Sequence, residues 1–234
     1  MHINRRSLLT TAAFSLAGCS IEHLGDIQSS PSNLGIEFKS TRPGASGQRW
    51  VYKKFNAFNS AEIDWVQETL VFKNPTIEIQ RQSLNTGAEL PPEVHEYFGW
   101  VTSDPYWDLV QTYEQAIEIY PSSALSKGIH SINTSYQIPP SATRYWINFY
   151  IEKIQPEIVH LNGQSFDTVK INKLIRFQHR DLARLDCVRH ETVWFCPEIG
   201  RWVAKETRGE YRVSAKKSNT AREDATRWEL VDWR

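Results

Sequence analysis

Residue types able to do chemistry are thinly spread along this chain of 234 residues. The densest group is "HRDLARLDCVRH", where His179, Asp181, Asp186 and His190 stand within one turn-like segment. Imidazoles and carboxylates that close could hold a divalent metal if the two histidines met across strands. Their spacing matches no ligand motif, so they are read as solvated turn residues and no metal site is expected. Serines occur in "ALSKG" and "GQSF" without the elbow that exposes a nucleophile. No glycine-rich phosphate loop, CxxC or HExxH is present. The reading therefore leans away from an enzyme, and neither catalytic residues nor a cofactor are assigned.

Cys187 and Cys196 look like a disulfide pair, but "CVRHETVWFC" has no Gly or Pro between them. Read as one strand at about 3.3 Å per residue, it would hold the thiols roughly 30 Å apart. The pair is expected to be unbonded.

Cys19 is different. Arg5 and Arg6 precede an uncharged stretch from Ser7 to Gly18 that ends in "LAGC". A charged start, a short apolar run and small residues before a cysteine form an export signal, too short to span a bilayer of about 30 Å. The stretch resembles a bacterial lipobox, which implies a diacylglycerol on the Cys19 thiol and an acylated new N-terminus. "NRRSLL" also resembles a degenerate twin-arginine signal, so export by either the Sec or the twin-arginine route stays open. Ser20 follows Cys19, rather than the Asp that resembles an inner-membrane retention signal, and outer-membrane anchoring facing the periplasm is expected. The membrane contact would be the lipid itself.

Removing residues 1–18 takes away Arg5 and Arg6 and no acid, so the mature chain stays near neutral. It lacks the basic footprint of a nucleic-acid binder. Nine Trp, nine Tyr and ten Phe beside one Met suit sheet cores better than helix bundles.

These elements divide the chain into a signal peptide (1–18), a lipidated N-terminus with a flexible tether (19–47), an N-terminal β unit (48–152) and a C-terminal antiparallel β unit (153–234). The two β units either stand apart or form one domain. The tether is Ser-, Gly- and Pro-punctuated, with a short strand possible at "GIEFK". "RWVYKKFNAFN", "EIDWVQETLVF" and "TIEIQRQSL" read as three strands of a meander. "YWDLVQTYEQAIEIY" reads either as a short helix with Leu109, Tyr113, Ile117 and Tyr120 on one face or as paired strands. After it come "YWINFYIEKI", "TVKINKLIRFQ", "CVRHETVWF", "RWVAKETRGEY" and "RWELVDW", with loops too short for parallel crossovers. The expected fold is mainly β, in antiparallel meander sheets forming a sandwich or open barrel, with at most one short helix in the middle.

"GQSFDTVKI" and "ETVWFCPEIGRWVAKE" resemble a functionally uncharacterised family of Gram-negative periplasmic proteins. Its pattern is met at Gly163, Phe166, Asp167, Lys170, Thr192, Trp194, Pro197, Glu198, Arg201, Trp202, Val203 and Glu206. Phe195, Cys196 and Lys205 depart from it. The resemblance implies a β-rich envelope domain and no activity.

In "CPEIGR", Pro197 pre-sets a turn and Gly200 supplies the positive φ at its end. With Pro197 to Gly200 as the loop, Phe195 faces Trp202. The same register would oppose Glu191 to Glu206, so either a bulge intervenes or the register differs. Trp194, Phe195 and Trp202 form a candidate ligand platform, though core packing is the more ordinary role. The functions left open are a non-catalytic lipoprotein binding a periplasmic protein or cell-wall partner, a carrier of a lipid or other amphiphile in a β cavity, and an unrecognised hydrolase.

Overall fold

The computed structural model describes residues 27–32, 42–106, 109–120, 130–213 and 220–234. The signal segment, Cys19 and "GIEFK" lie outside the described residues. The described chain forms thirteen strands: β1 (Ser29–Pro31), β2 (Arg49–Asn56), β3 (Glu62–Lys73), β4 (Thr76–Ser83), β5 (Glu89–Tyr97), β6 (Trp100–Tyr106), β7 (Leu109–Glu118), β8 (His130–Gln137), β9 (Tyr145–Leu161), β10 (Gln164–Phe177), β11 (Arg184–Cys196), β12 (Arg201–Val213) and β13 (Thr220–Trp233). No helix occurs among the described residues, and "LVQTYEQAIE" is strand β7.

Every neighbouring pair from β2 to β13 is antiparallel, and β13 pairs back onto β2 through Trp228 and Lys54. The meander therefore closes into a twelve-stranded barrel, where the sequence suggests a sandwich or an open barrel. Closure leaves no exposed edge on the ring. β9 is long enough to serve two partners. Its first half completes the ring against β8, and its second half carries β1 through Ser29 opposite Val159. The stretch 19–47, expected as a flexible tether, thus contains a strand, and Arg42 N–H also donates to the Pro197 carbonyl at 2.8 Å. Backbone pairing needs no periodic apolar side chains, so a Ser- and Pro-rich segment can join a sheet without announcing itself.

Two short turns have their chemistry written locally. Asn162 and Gly163 take φ of 50° and 76° between paired Leu161 and Gln164, as a two-residue hairpin requires. Gly200 has φ of 74°, and a Cβ there would stand 2.9 Å from the Arg42 carbonyl oxygen. In the hairpin that follows, Phe195 does pair with Trp202, while a bulge between Trp194 and Phe195 shifts the next partners. Glu191 consequently opposes Thr207, and Glu206 opposes Thr192. The bulge resolves the like-charge clash. Cys187 is the fourth residue of β11 and Cys196 its last, and both are free thiols.

Side chains alternate across the wall as a pleated strand demands. Many outer positions are polar, for example Gln80, Gln82, Arg176, His190 and Glu210, with exposed apolar side chains such as Ile63, Phe72 and Trp146 among them. Inside, one end is filled by a mainly aromatic cluster around Trp50, Tyr52, Trp202, Trp228 and Leu230. Tyr52 stacks on Trp202 with ring centroids 3.8 Å apart, and Trp228 meets both edge-on. The β9–β10 hairpin reaches this end too, where Asn162 Nδ2 donates to the Leu230 carbonyl at 3.1 Å and Phe166 packs on Trp233. A second cluster, including Tyr113, Ile117, Ile147, Phe149, Ile175 and Phe177, fills another part of the lumen.

Candidate functional site

Charged side chains project into the barrel at positions that alternation would reserve for apolar ones. Val66, Glu68 and Leu70 share one face of β3, and Ile79 and Arg81 share one face of β4. Burying such groups is costly unless they pair, and here they do. Arg201, only 1% exposed, donates from Nε to Glu68 Oε2 at 3.0 Å. Its Nη1 donates to Glu93 Oε1 at 2.9 Å and its Nη2 to Glu93 Oε2 at 3.3 Å. Arg201 is thus a two-sided clamp joining β3, β5 and β12 across the lumen. His95 is fully buried; its Nδ1 accepts from Gly99 N–H at 3.0 Å, which leaves Nε2 to donate to Glu93 Oε1 at 2.6 Å. Arg81 approaches Glu68 at 3.7 Å, and Lys173 meets Glu191 at 2.9 Å.

The electrostatics follow from these partners. Burial alone would raise the Glu93 carboxyl, but the Arg201 charge and the His95 hydrogen bond outweigh it and hold the group well below the usual carboxylate range. Burial likewise opposes ionisation of Glu191, and Lys173 with Lys205 overcomes it. Asp104 goes the other way. Burial, reinforced by the negative charge of Glu93, pushes it up to about 6 despite Lys205 and Arg81.

An acid with a raised pKa is what a hydrolase would require, yet the space around it is wrong for a substrate. Asp104 lines two lumen cavities of about 40 and 50 Å³, one shared with Tyr113 and Ile117, the other with Glu68, Arg81 and Lys205. Each has room for a water or two. Neither would take an acyl chain, because ligand pockets typically run to about 300 Å³ or more. The buried thiols are no better placed as nucleophiles, since burial raises Cys187 and Cys196 to about 11.

Two larger concavities lie at the barrel's other end, where the 57–61 and 178–183 turns emerge. A groove of about 490 Å³ on β11–β13 is lined by residues of both signs, including His190, Glu206, Arg208 and Arg222. The mouth itself is a cavity of about 310 Å³, bordered by Arg180, Arg184, Arg189 and Arg222 against Glu223 and Asp224. Here the contacts to Glu223 are longer. Arg184 Nη1 stands 3.5 Å from Glu223 Oε1, and Arg189 Nε stands 3.9 Å from Glu223 Oε2. Gly209 makes room for that carboxylate, because a Cβ there would lie 2.4 Å from Glu223 Oε2. Arg184 also covers the Tyr211 ring at 4.5 Å, and Arg189 the Phe177 ring at 4.2 Å. Across the mouth, Gln111 is 96% buried with its side-chain carbonyl oxygen lacking any hydrogen-bond partner. Tyr136, on the same wall, sends its hydroxyl to the Gln178 carbonyl at 2.8 Å.

The residues singled out in sequence are distributed otherwise. His179 sits beside the mouth, where Asp181 N–H donates to its Nδ1 at 2.9 Å; burial and the Arg184 charge lower its pKa. His190 is on the outer groove, paired with Leu174 and Arg208. The two histidines border different concavities, and no group of three metal-capable side chains forms among the described residues. Trp194, Phe195 and Trp202 are all buried. Trp194 Nε1 donates to Glu157 Oε2 at 2.9 Å under the ammonium of Lys170, and Phe195 packs on Tyr120. Sequence reading named Arg201 only as a position of the family pattern, without a role, and missed Glu68, Glu93, Asp104 and the arginines of the mouth. The available signal was a charge at an apolar strand position, as in the V-x-E-x-L of β3.

No family model matches the chain, so the family resemblance read from "GQSFDTVKI" and "ETVWFCPEIGRWVAKE" has no such support. No curated protein matches it either. Among solved structures, it is similar to a candidate lipoprotein from Parabacteroides distasonis at a TM-score of 0.40 and 10% identity, over 82% of this chain and 97% of that one. A likeness of that size carries no functional inference.

Proposed function

We propose that the chain is an outer-membrane lipoprotein facing the periplasm, anchored by acylation of Cys19, whose barrel works by binding and not by catalysis. "LAGC" after Arg5 and Arg6 supports the anchor, with export by the Sec or twin-arginine route. The observation that carries the binding role is the lumen: among the described residues its charges pair with one another across the barrel, and the two cavities beside Asp104, of about 40 and 50 Å³, are too small for an amphiphile or a substrate. What remains available to a partner is the outer wall and the mouth, both rich in polar side chains. A periplasmic protein, a cell-wall component or a smaller polar molecule fits such surfaces better than a lipid chain does.

Metabolic labelling with palmitate, followed by mass analysis of the N-terminal peptide, tests the anchor. Label on Cys19 and its disappearance, together with release from membranes, in Cys19→Ser is the expected outcome. An unmodified Cys19 in the mature protein would overturn it.

A further inference from the structure

The arginine-lined mouth has the composition of a ligand site. We propose that it binds an anionic sugar, with the oxyanion held by Arg180, Arg184, Arg189 and Arg222 and a hydroxyl donated to Gln111. This deepens the binding role assigned above and rests on it, while being independent of the anchor at Cys19.

Three observations converge on it. Four guanidinium groups face two carboxylates, Glu223 and Asp224, around a cavity of about 310 Å³, a size that suits a small ligand. Guanidinium groups match phosphate and carboxylate oxygens in a planar, two-pronged geometry. Glu223 meets Arg184 and Arg189 at 3.5 and 3.9 Å, longer than the roughly 2.7–2.9 Å of a charge-assisted hydrogen bond. Arg180 and Arg222 stand exposed beside that carboxylate and supply the donors open to an anion. Finally, the buried Gln111 carbonyl oxygen without a partner carries the desolvation penalty of an unmade hydrogen bond. A bare anion offers it nothing, whereas a sugar hydroxyl satisfies it.

Calorimetric titration of the full mature lipoprotein in detergent micelles, with glucose 6-phosphate, inorganic phosphate and glucose as probes, tests this. Glucose 6-phosphate should bind most tightly, inorganic phosphate more weakly and glucose not measurably. The double substitution Arg180→Gln/Arg222→Gln changes two exposed residues and should leave the melting temperature unchanged while weakening glucose 6-phosphate by about tenfold or more. Gln111→Leu should bring glucose 6-phosphate down to the level of inorganic phosphate. Vesicles displaying phosphorylated glucosamine on a lipid provide a second arm. Capture of the free sugar phosphate assigns a soluble ligand; capture of the vesicles alone, abolished by the double substitution, assigns a glycolipid headgroup. No binding in either arm up to about 10 mM probe, or binding indifferent to the arginine substitutions, overturns the proposal. Either failure leaves the palmitate label on Cys19 untouched, so the two conclusions fall separately.

Discussion

The lumen belt and the mouth are built from the same residue types and differ in how far those residues are used up. In the belt, Arg201 spans Glu68 and Glu93 at 2.9–3.3 Å, and His95 completes the second carboxylate. At the mouth, Arg184 and Arg189 share Glu223 at 3.5–3.9 Å, with Arg180 and Arg222 exposed beside them. A buried charge whose hydrogen bonds are met by fixed partners is architecture, and it has little left to offer a ligand. A cluster with surplus donors at a cavity's rim is the reverse. The contrast teaches that charge inside a barrel is not by itself a sign of function; saturation of the hydrogen bonds decides.

The comparison can be broken most forcefully at Arg201. Arg201→Met leaves Glu68 and Glu93 facing each other in a buried site and should cost about 3–5 kcal/mol in chemical denaturation. A loss under about 1 kcal/mol would mean the belt is not structural. Gly209→Ala tests the mouth's single buried carboxylate, because the new methyl must displace Glu223 from Arg189. A loss of about 1–2 kcal/mol is expected, and an unchanged midpoint would show that Glu223 relocates freely.

Titration separates the acids of the belt from one another. Glu93 and Glu191 are depressed, so their contribution is present above the ordinary carboxylate range and is lost as pH falls through their folded values. Asp104 is raised to about 6, so ionising it costs stability as pH climbs from its unfolded value to that point. Asp104→Asn should therefore stabilise the barrel at about pH 8, with the gain vanishing below about pH 4. Stabilisation that is equal at both ends of that range would contradict the electrostatic account. The smallest effect belongs to the rim: Arg222→Gln should shift stability by no more than about 0.5 kcal/mol, as measured by thermal melting.

Sequence legibility tracks the range of the contacts involved. The wall strands β10 to β13 are plain in "TVKINKLIRFQ" and its successors because β-branched and aromatic runs and turn residues are local signals. Closure is not local, since it joins Trp228 to Lys54 across most of the chain. "LVQTYEQAIE" stays ambiguous for a geometric reason. Leu109, Tyr113 and Ile117 are four residues apart, and a spacing of four satisfies both one helix face and one strand face. The burial of Gln111, Tyr113 and Ile117 settles it as a strand. The mouth was hidden for another reason: its arginines come from β11, β13 and a turn, with no common motif. The "CPEIGR" hairpin lies between. Its turn and the Phe195–Trp202 pair were readable, whereas the bulge that moves Glu206 away from Glu191 falls between Trp194 and Phe195, where no glycine or proline marks it.

Native mass spectrometry of the intact mature chain, extracted gently from membranes, tests most directly whether the lumen is closed by its own charges. For the Arg180→Gln/Arg222→Gln chain, whose mouth no longer holds a headgroup, the account predicts the mass of the covalently lipidated protein with no amphiphile retained. A reproducible non-covalent adduct of that variant that dissociates as a lipid would contradict it, because the lumen would then hold an acyl chain among charges that Arg201 and its two carboxylates commit to one another.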